Sequence, residues 1–150
     1  MLKIENMTKE EMRKLLLANS FGHLGCARDN HPYVVPMNYG YDEENLFFFT
    51  TEGTKTEYIS ANHEVCFQVE AVRSPSDWQS VMVLGRAERL TLPDDLEHAM
   101  LVITDSNPSL TPAINRTEIG SWHRLSNVAV YRVRAEAIYG RKTVSGNVSD

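Results

Sequence analysis

The chain has 150 residues, 42% of them hydrophobic and 23% charged, and a formal net charge of -5. That composition suits a globular domain with a real core. The acidic balance argues against nucleic acid or an anionic membrane as the main partner, because both need a basic surface. No apolar run approaches a membrane span, and the opening MLKIENMTKEEMRKLLL is charged and helix-like rather than a signal peptide. The expectation is one cytoplasmic domain over residues 1–150, with a polar tail over 143–150. Cys26 and Cys66 each sit in an apolar, strand-like stretch. A disulfide is open to them, but buried free thiols suit a cytosolic chain better.

In chain order, Thr8 and Glu11 form a capping box. Met12, Leu15 and Leu16 then give an apolar face at helical spacing, predicting a helix to about Ala18. Phe21–Arg28 reads as a strand. Asp29-Asn30 is a hairpin turn pair, since both residues tolerate positive φ. His31–Tyr41 reads as the returning strand. Its Pro32 and Pro36 cannot donate to a ladder, so each needs an edge, a strand start or a bulge. Pro36 in mid-strand predicts a bend that leaves neighbouring backbone groups free. Asp42–Asn45 makes a second turn, and Leu46–Thr50 is an apolar, aromatic strand expected to be central.

Thr51–Thr54 is a loop, and Lys55–Ala61 a short helix. Val65–Val72 and Trp78–Leu90 are strands, with Gly85 marking a bulge or a close approach. Pro93–Thr104 is a helix with proline in its first turn. Asp105–Ser121 is either an irregular loop or a loop with one short helix after Pro112. Val128–Tyr139 alternates as a last strand. About six strands, short turns and few helices point to a mainly β fold, an antiparallel barrel with peripheral helices.

The stretch Thr50-Thr51-Glu52-Gly53-Thr54-Lys55 has a definite physical use. Hydroxyls and backbone N–H groups at a helix start can hold a phosphate, and a lysine adds a charge. The same stretch also serves as a plain helix cap, and it lacks the spacing of a Walker loop. The histidines His23, His31, His63, His98 and His123 show no metal-ligand spacing, and no metal site is expected. No Gly-x-Ser-x-Gly supports a hydrolase. Asp94, Asp95 and Glu97 are explained by a helix start. Trp78 and Trp122 suit packing, or a wall against a planar cofactor.

The run GHLGCARDNHPYVVPMNYGYDEENLFFFTTEGTK, then NHEVCFQVE, then WQSVMVLGRAERL resembles the pyridoxamine 5′-phosphate oxidase-related, FMN-binding split-barrel family, most closely its nitroimidazole-resistance-like branch. The pieces come in the family's order from about Thr8 to Leu90, and Tyr139-Gly140-Arg141 also fits. The resemblance implies a six-stranded antiparallel split barrel and a homodimer with FMN at the subunit interface. By position, Val35, Pro36, Met37, Asn38 and Tyr39 would lie along the isoalloxazine edge. Thr50, Thr51, Gly53, Thr54 and Lys55 would hold the ribityl chain and phosphate. Gln79, Ser80 and Val81 would come from the second subunit. Family members that oxidise pyridoxamine phosphate carry an Arg-Lys pair where this chain has Thr54-Lys55, so one phosphate cation is missing.

The expected function is an FMN-dependent oxidoreductase of unspecified small-molecule substrate, with no catalytic acid or base legible. The alternative keeps the fold and makes it a non-catalytic or haem-binding module, with His23, His31, His63 or His123 as the axial ligand.

Overall fold

The computed structural model describes residues 1–108 and 128–144. Trp122, His123, most of the expected 105–121 loop and the tail beyond Val144 lie outside the described residues. Helix α1 (Lys9–Ala18) begins where Thr8 dictates. The Thr8 hydroxyl accepts from the Glu11 N–H at 3.2 Å, and the Glu11 carboxylate accepts from the Thr8 N–H at 2.9 Å. Two of the donors that a helix start leaves open are thereby satisfied. Leu15 and Leu16 turn into the core.

Strand β1 (Lys3–Asn6) precedes that helix and corrects the helix-like reading of the N-terminus. It pairs with the end of β8 (Val128–Val144), with Ile4 opposite Thr143. The same pairing corrects the polar-tail expectation at Thr143 and Val144, which continue β8. All four β1 residues are exposed, so no burial pattern betrays the strand.

Strands β2 (Phe21–Arg28) and β3 (His31–Asn38) form the expected hairpin. Asp29 and Asn30 take φ of 50° and 64°, the left-handed values such a turn needs. The register runs from Phe21↔Asn38 to Arg28↔His31 without a shift, so β3 does not bend at Pro36. The chain instead breaks at Tyr39, and β4 (Gly40–Tyr41) is a separate two-residue strand.

After β5 (Asn45–Thr51) come α2 (Thr54–Ala61), β6 (Glu64–Ser74), β7 (Asp77–Arg89) and α3 (Pro93–Ser106). All pairings are antiparallel, in the order β3-β2-β6-β7-β8-β5-β4, with β1 on β8. β3 and β4 end that path, so the sheet is not closed. This is the expected mainly β split barrel, with two short strands, β1 and β4, beyond the expected six.

The barrel interior holds Leu24, Tyr39, Phe48, Phe67, Val69 and Val83, with Leu16 of α1 and Ile59 of α2 closing it. Phe48 and Phe67 are fully buried. Truncating such a side chain to alanine costs about 3–5 kcal/mol. A second cluster joins Phe47 and Val130 to Leu96, Met100 and Ile103 of α3. β5 is therefore apolar on both faces because α3 covers its outer side, although it lies next to the end of the sheet. Gly85 meets its expectation: the β7–β8 register shifts there, and an added Cβ would sit 2.1 Å from the Arg134 carbonyl oxygen.

Candidate functional site

β3 is an end strand whose only sheet neighbour among the described residues is β2. In an antiparallel pair, alternate residues turn their backbone groups toward the neighbour or away from it. Pro32 and Pro36 have no N–H, and the Tyr39 N–H donates back to Ser20 O at 2.9 Å. The odd-numbered residues thus bond inward. The carbonyls of Pro32, Val34 and Pro36 and the N–H of Val34 face away from the sheet. This free edge comes from the strand's position at the end of the sheet, not from a bend at Pro36.

The side chains alternate in the same sense. Met37 and Tyr39 are buried, while Pro36 is exposed and Asn38 half-buried. The Tyr39 hydroxyl donates to Leu16 O at 2.7 Å, and burial pushes its pKa up. Met37 and Tyr39 therefore serve the core: their side chains are buried, and the Tyr39 N–H and carbonyl are taken by Ser20 and Asn107.

α2 lies against this hairpin. Tyr58 packs on Tyr33 with ring centroids 5.4 Å apart, and Asn62 Nδ2 donates to Ala27 O at 3.1 Å. At its start, the Gly53 N–H donates to the Thr56 hydroxyl, which donates back to Gly53 O, both at 2.9 Å. The N–H groups of Thr54, Lys55 and Thr56 have no acceptor within the helix. Thr51, Gly53 and Thr54 are exposed and Lys55 half-buried. An added Cβ at Gly53 would meet nothing within 4 Å, so the loop borders open space. Thr50 is different: its side chain is buried and its hydroxyl donates to Thr51 O at 3.3 Å. Lys55 is close enough to act on Cys26. Burial foremost, and Cys66 next, push that thiol's pKa up, while the lysine pulls it down.

A cavity of about 540 Å³ opens beside this hairpin, bounded by Gly25, Cys26, Tyr33, Val34, Asn62 and Cys66. That volume suits a small organic ligand. Cys26 and Cys66 are both free thiols; Cys26 is buried as expected, while Cys66 is half-buried. A second concavity of about 460 Å³ holds His63, Arg86, Arg89 and Arg134 with Glu88. Its arginines are met within the chain by Glu64, Glu52 and Glu88. The Glu52–Arg89 pair is notable because Glu52 belongs to the Thr50–Lys55 loop. The Arg89 hydrogen bond, with a lesser one from Thr56, holds the Glu52 carboxyl below its usual range.

Gln79, Ser80 and Val81 lie on β7, separated from β3 by β2 and β6, so one protomer does not bring them to the β3 edge. Ser80 Oγ accepts from Gln68 Nε2 at 2.9 Å, and the Val81 side chain is fully buried in the barrel. The outer face of these strands carries four exposed apolar side chains among polar ones. Val34 is 66% exposed, Tyr139 60%, Phe21 53% and Met82 39%. The register places Met82 beside both Gln68 and Tyr139.

Two residues near the site carry no signal in the local sequence. Asn107, 3% exposed, ties the end of α3 to Asn38 and Tyr39. Arg89 reaches the phosphate-type loop from the end of β7. By sequence, one resembles a helix cap and the other a strand-end surface charge. Trp78 lies at the start of β7, where its N–H donates to Thr143 Oγ1 at 2.9 Å. Among the described residues no cluster of His, Cys, Asp and Glu could hold a metal, and no helix is long and apolar enough to cross a membrane.

A family model described as pyridoxamine 5′-phosphate oxidase matches residues 8–142. An uncharacterized protein of Rhizobium meliloti is 32% identical over 92 residues, which span 61% of this chain and 61% of that protein. Among solved structures, an FAD-binding protein of Mesorhizobium loti is 30% identical, with a TM-score of 0.76 over 97% of this chain and all of the other. A putative 5-nitroimidazole antibiotic resistance protein of Bacteroides thetaiotaomicron, 22% identical, has the same fold with a TM-score of 0.76, covering 95% of this chain and 89% of its own.

Proposed function

We propose that this chain, which belongs to the pyridoxamine 5′-phosphate oxidase family, is an FMN-binding flavoprotein and acts as an FMN-dependent oxidoreductase on a small molecule. One observation carries the reading. A strand edge with unspent backbone groups, Pro32 to Asn38, adjoins an apolar cavity at Val34, and Lys55 at the start of α2 is near enough to Cys26 of that cavity to act on its thiol. A flavin needs that combination: a flat, mostly apolar bed with a few polar groups along one edge, and an anion site for its phosphate.

The donor set fits the group. The N–H groups of Thr54 and Lys55, the Thr51 and Thr54 hydroxyls and the Lys55 ammonium can all donate to a phosphate. Val35 to Tyr39 would line the ring edge, with the outward Pro36 carbonyl and the Asn38 side chain offering polar groups and Met37 and Tyr39 backing the strand from the core. Thr50, with its hydroxyl turned to Thr51 O, would support the loop from beneath. The flavin itself supplies the hydride or electron transfer, and the protein's work is to bind it, orient it and shield one side from water.

The outer face favours a homodimer. Val34, Phe21, Met82 and Tyr139 leave large apolar side chains in solvent there, which a second copy would cover. A second copy seated there would bring its Gln79 and Ser80, with the Val81 backbone, toward the flavin. The acidic net charge suits a protein working on small molecules in the cytoplasm.

The visible spectrum of purified protein titrated with FMN tests this. The two absorption bands of bound oxidised flavin, at one flavin per protomer, are expected. A Soret band, or no chromophore after FMN is added, would sink the reading.

A further inference from the structure

At the far end of the β3 edge, the side chain of Asn107 is 3% exposed and fully hydrogen-bonded. Its Nδ2 donates to Ile103 O at 2.7 Å and to Tyr39 O at 2.8 Å. Both amide hydrogens are therefore spent on backbone carbonyls. Its Oδ1 faces Asn38 Nδ2 at 2.9 Å. Turning the Asn107 amide over would set its oxygen against two carbonyl oxygens and its NH2 against the Asn38 NH2. Burial makes such a mismatch expensive.

The orientation propagates. Because Asn107 presents an acceptor, Asn38 must present its NH2 to it. The carboxamide oxygen of Asn38 is then turned the other way, and Asn38 is half-buried rather than enclosed. Among the described residues nothing donates to that oxygen. It lies on a strand whose edge is otherwise backbone, at the mouth of the split between β3 and the α3-covered strands.

We infer that Asn107 is a positioning residue that locks Asn38 with its amide oxygen outward, and that this oxygen accepts the N3–H on the uracil edge of the bound flavin. The inference rests on the flavin reading above. The chemistry selects the contact: oxidised isoalloxazine carries one N–H, at N3, and every other polar atom of its ring system is an acceptor. An outward amide oxygen is matched to that hydrogen alone. Asn107 never touches the ring, and acts only by deciding which end of Asn38 the ring meets.

The test is a mutant cycle on FMN affinity. Asn38→Leu is expected to weaken FMN about fivefold, the loss of one ordinary hydrogen bond. Asn107→Ala is expected to produce a similar loss from a distance, and the double variant no further loss. FMN methylated at N3 should bind wild type less tightly than FMN, and Asn38→Leu should narrow that difference. Additive losses, or an Asn107→Ala protein with lower thermal stability but wild-type FMN affinity, would overturn the positioning role. A wild type that takes up no flavin would overturn the flavin reading itself, a distinct result. Should Asn107→Ala fail to fold, the flavin-free wild type still decides. The Asn38 side-chain N–H that bonds Asn107 is expected to exchange slowly with solvent and to shift in amide NMR away from its free-amide position. A signal typical of a free surface asparagine would refute the lock.

Discussion

Replacing Lys55 with alanine separates a phosphate site from an ordinary helix cap. Lys55 is half-buried, with neither an ion pair nor a side-chain hydrogen bond among the described residues. Its removal should therefore cost the fold little, well under about 1 kcal/mol. A phosphate held there would lose one charge-assisted hydrogen bond, worth about 1.5–3 kcal/mol. The N–H groups of the first turn of α2 would remain. At about 1.4 kcal/mol per tenfold, FMN should bind roughly ten to a hundred times more weakly. Riboflavin has the same ring and no phosphate, so its affinity should not change. Parallel fluorescence titrations of both ligands against wild type and Lys55→Ala give the ratio directly. Equal weakening of the two ligands, or no change in either, would remove Lys55 from phosphate binding.

The other expectations are quicker to state. Arg89 holds Glu52, the one carboxylate of the loop. Glu52→Gln should tighten FMN a few-fold, Arg89→Gln should weaken it comparably, and the double variant should return toward wild type, with all three effects shrinking at high salt in the same titrations. Met82→Glu should convert the proposed dimer to monomer in light scattering and lower FMN affinity with it; an FMN-loaded monomer in the wild type would contradict the proposed interface. Glu11 ties α1 to β8. The Lys142 contact first, then the Thr8 N–H, lower its pKa from 4.5 to about 2. A depressed carboxyl stabilises the fold above its unfolded value and loses that contribution as pH falls. The thermal midpoint should thus decline between about pH 4.5 and 2, with Lys142→Met flattening that stretch of the curve.

Local chemistry was legible wherever one residue sets its own neighbourhood. Thr8 and Glu11 announced the first helix, Asp29-Asn30 the hairpin and Gly85 the irregularity against β8. Pro36 revealed that part of β3 goes unpaired, but not why: a proline states that an N–H is missing, while the sheet order decides that the strand lies at an edge. β1 stayed hidden because four exposed residues have no burial period, and their partner is more than a hundred residues away. The run from Leu46 to Thr50 looked central because it is apolar on both faces, yet a helix rather than further strands covers its outer side. Of the candidate site, the loop before α2 and the stretch from Val35 to Tyr39 are proposals that the sequence already raised. Asn107 and Arg89 could not, since each matters through a residue far along the chain.

Of the described strands, the last to leave the ribosome is the one that joins β7, β5 and β1. The 17 residues of β8 pair with β7 along one side, and with β5 and then β1 along the other. Every other described strand is synthesised first. Until Val128–Val144 emerges, β7 and β5 each lack a neighbour, and β1 has none at all. The β3-β2-β6-β7 half can pair earlier, but the whole sheet can come together only late, through contacts distant in sequence, a topology that slows folding. During that interval the aromatic strand Asn45–Thr51 offers an unpaired edge to any other nascent chain. Yield from the cell should thus be more sensitive to temperature and expression rate than the stability of the finished molecule suggests.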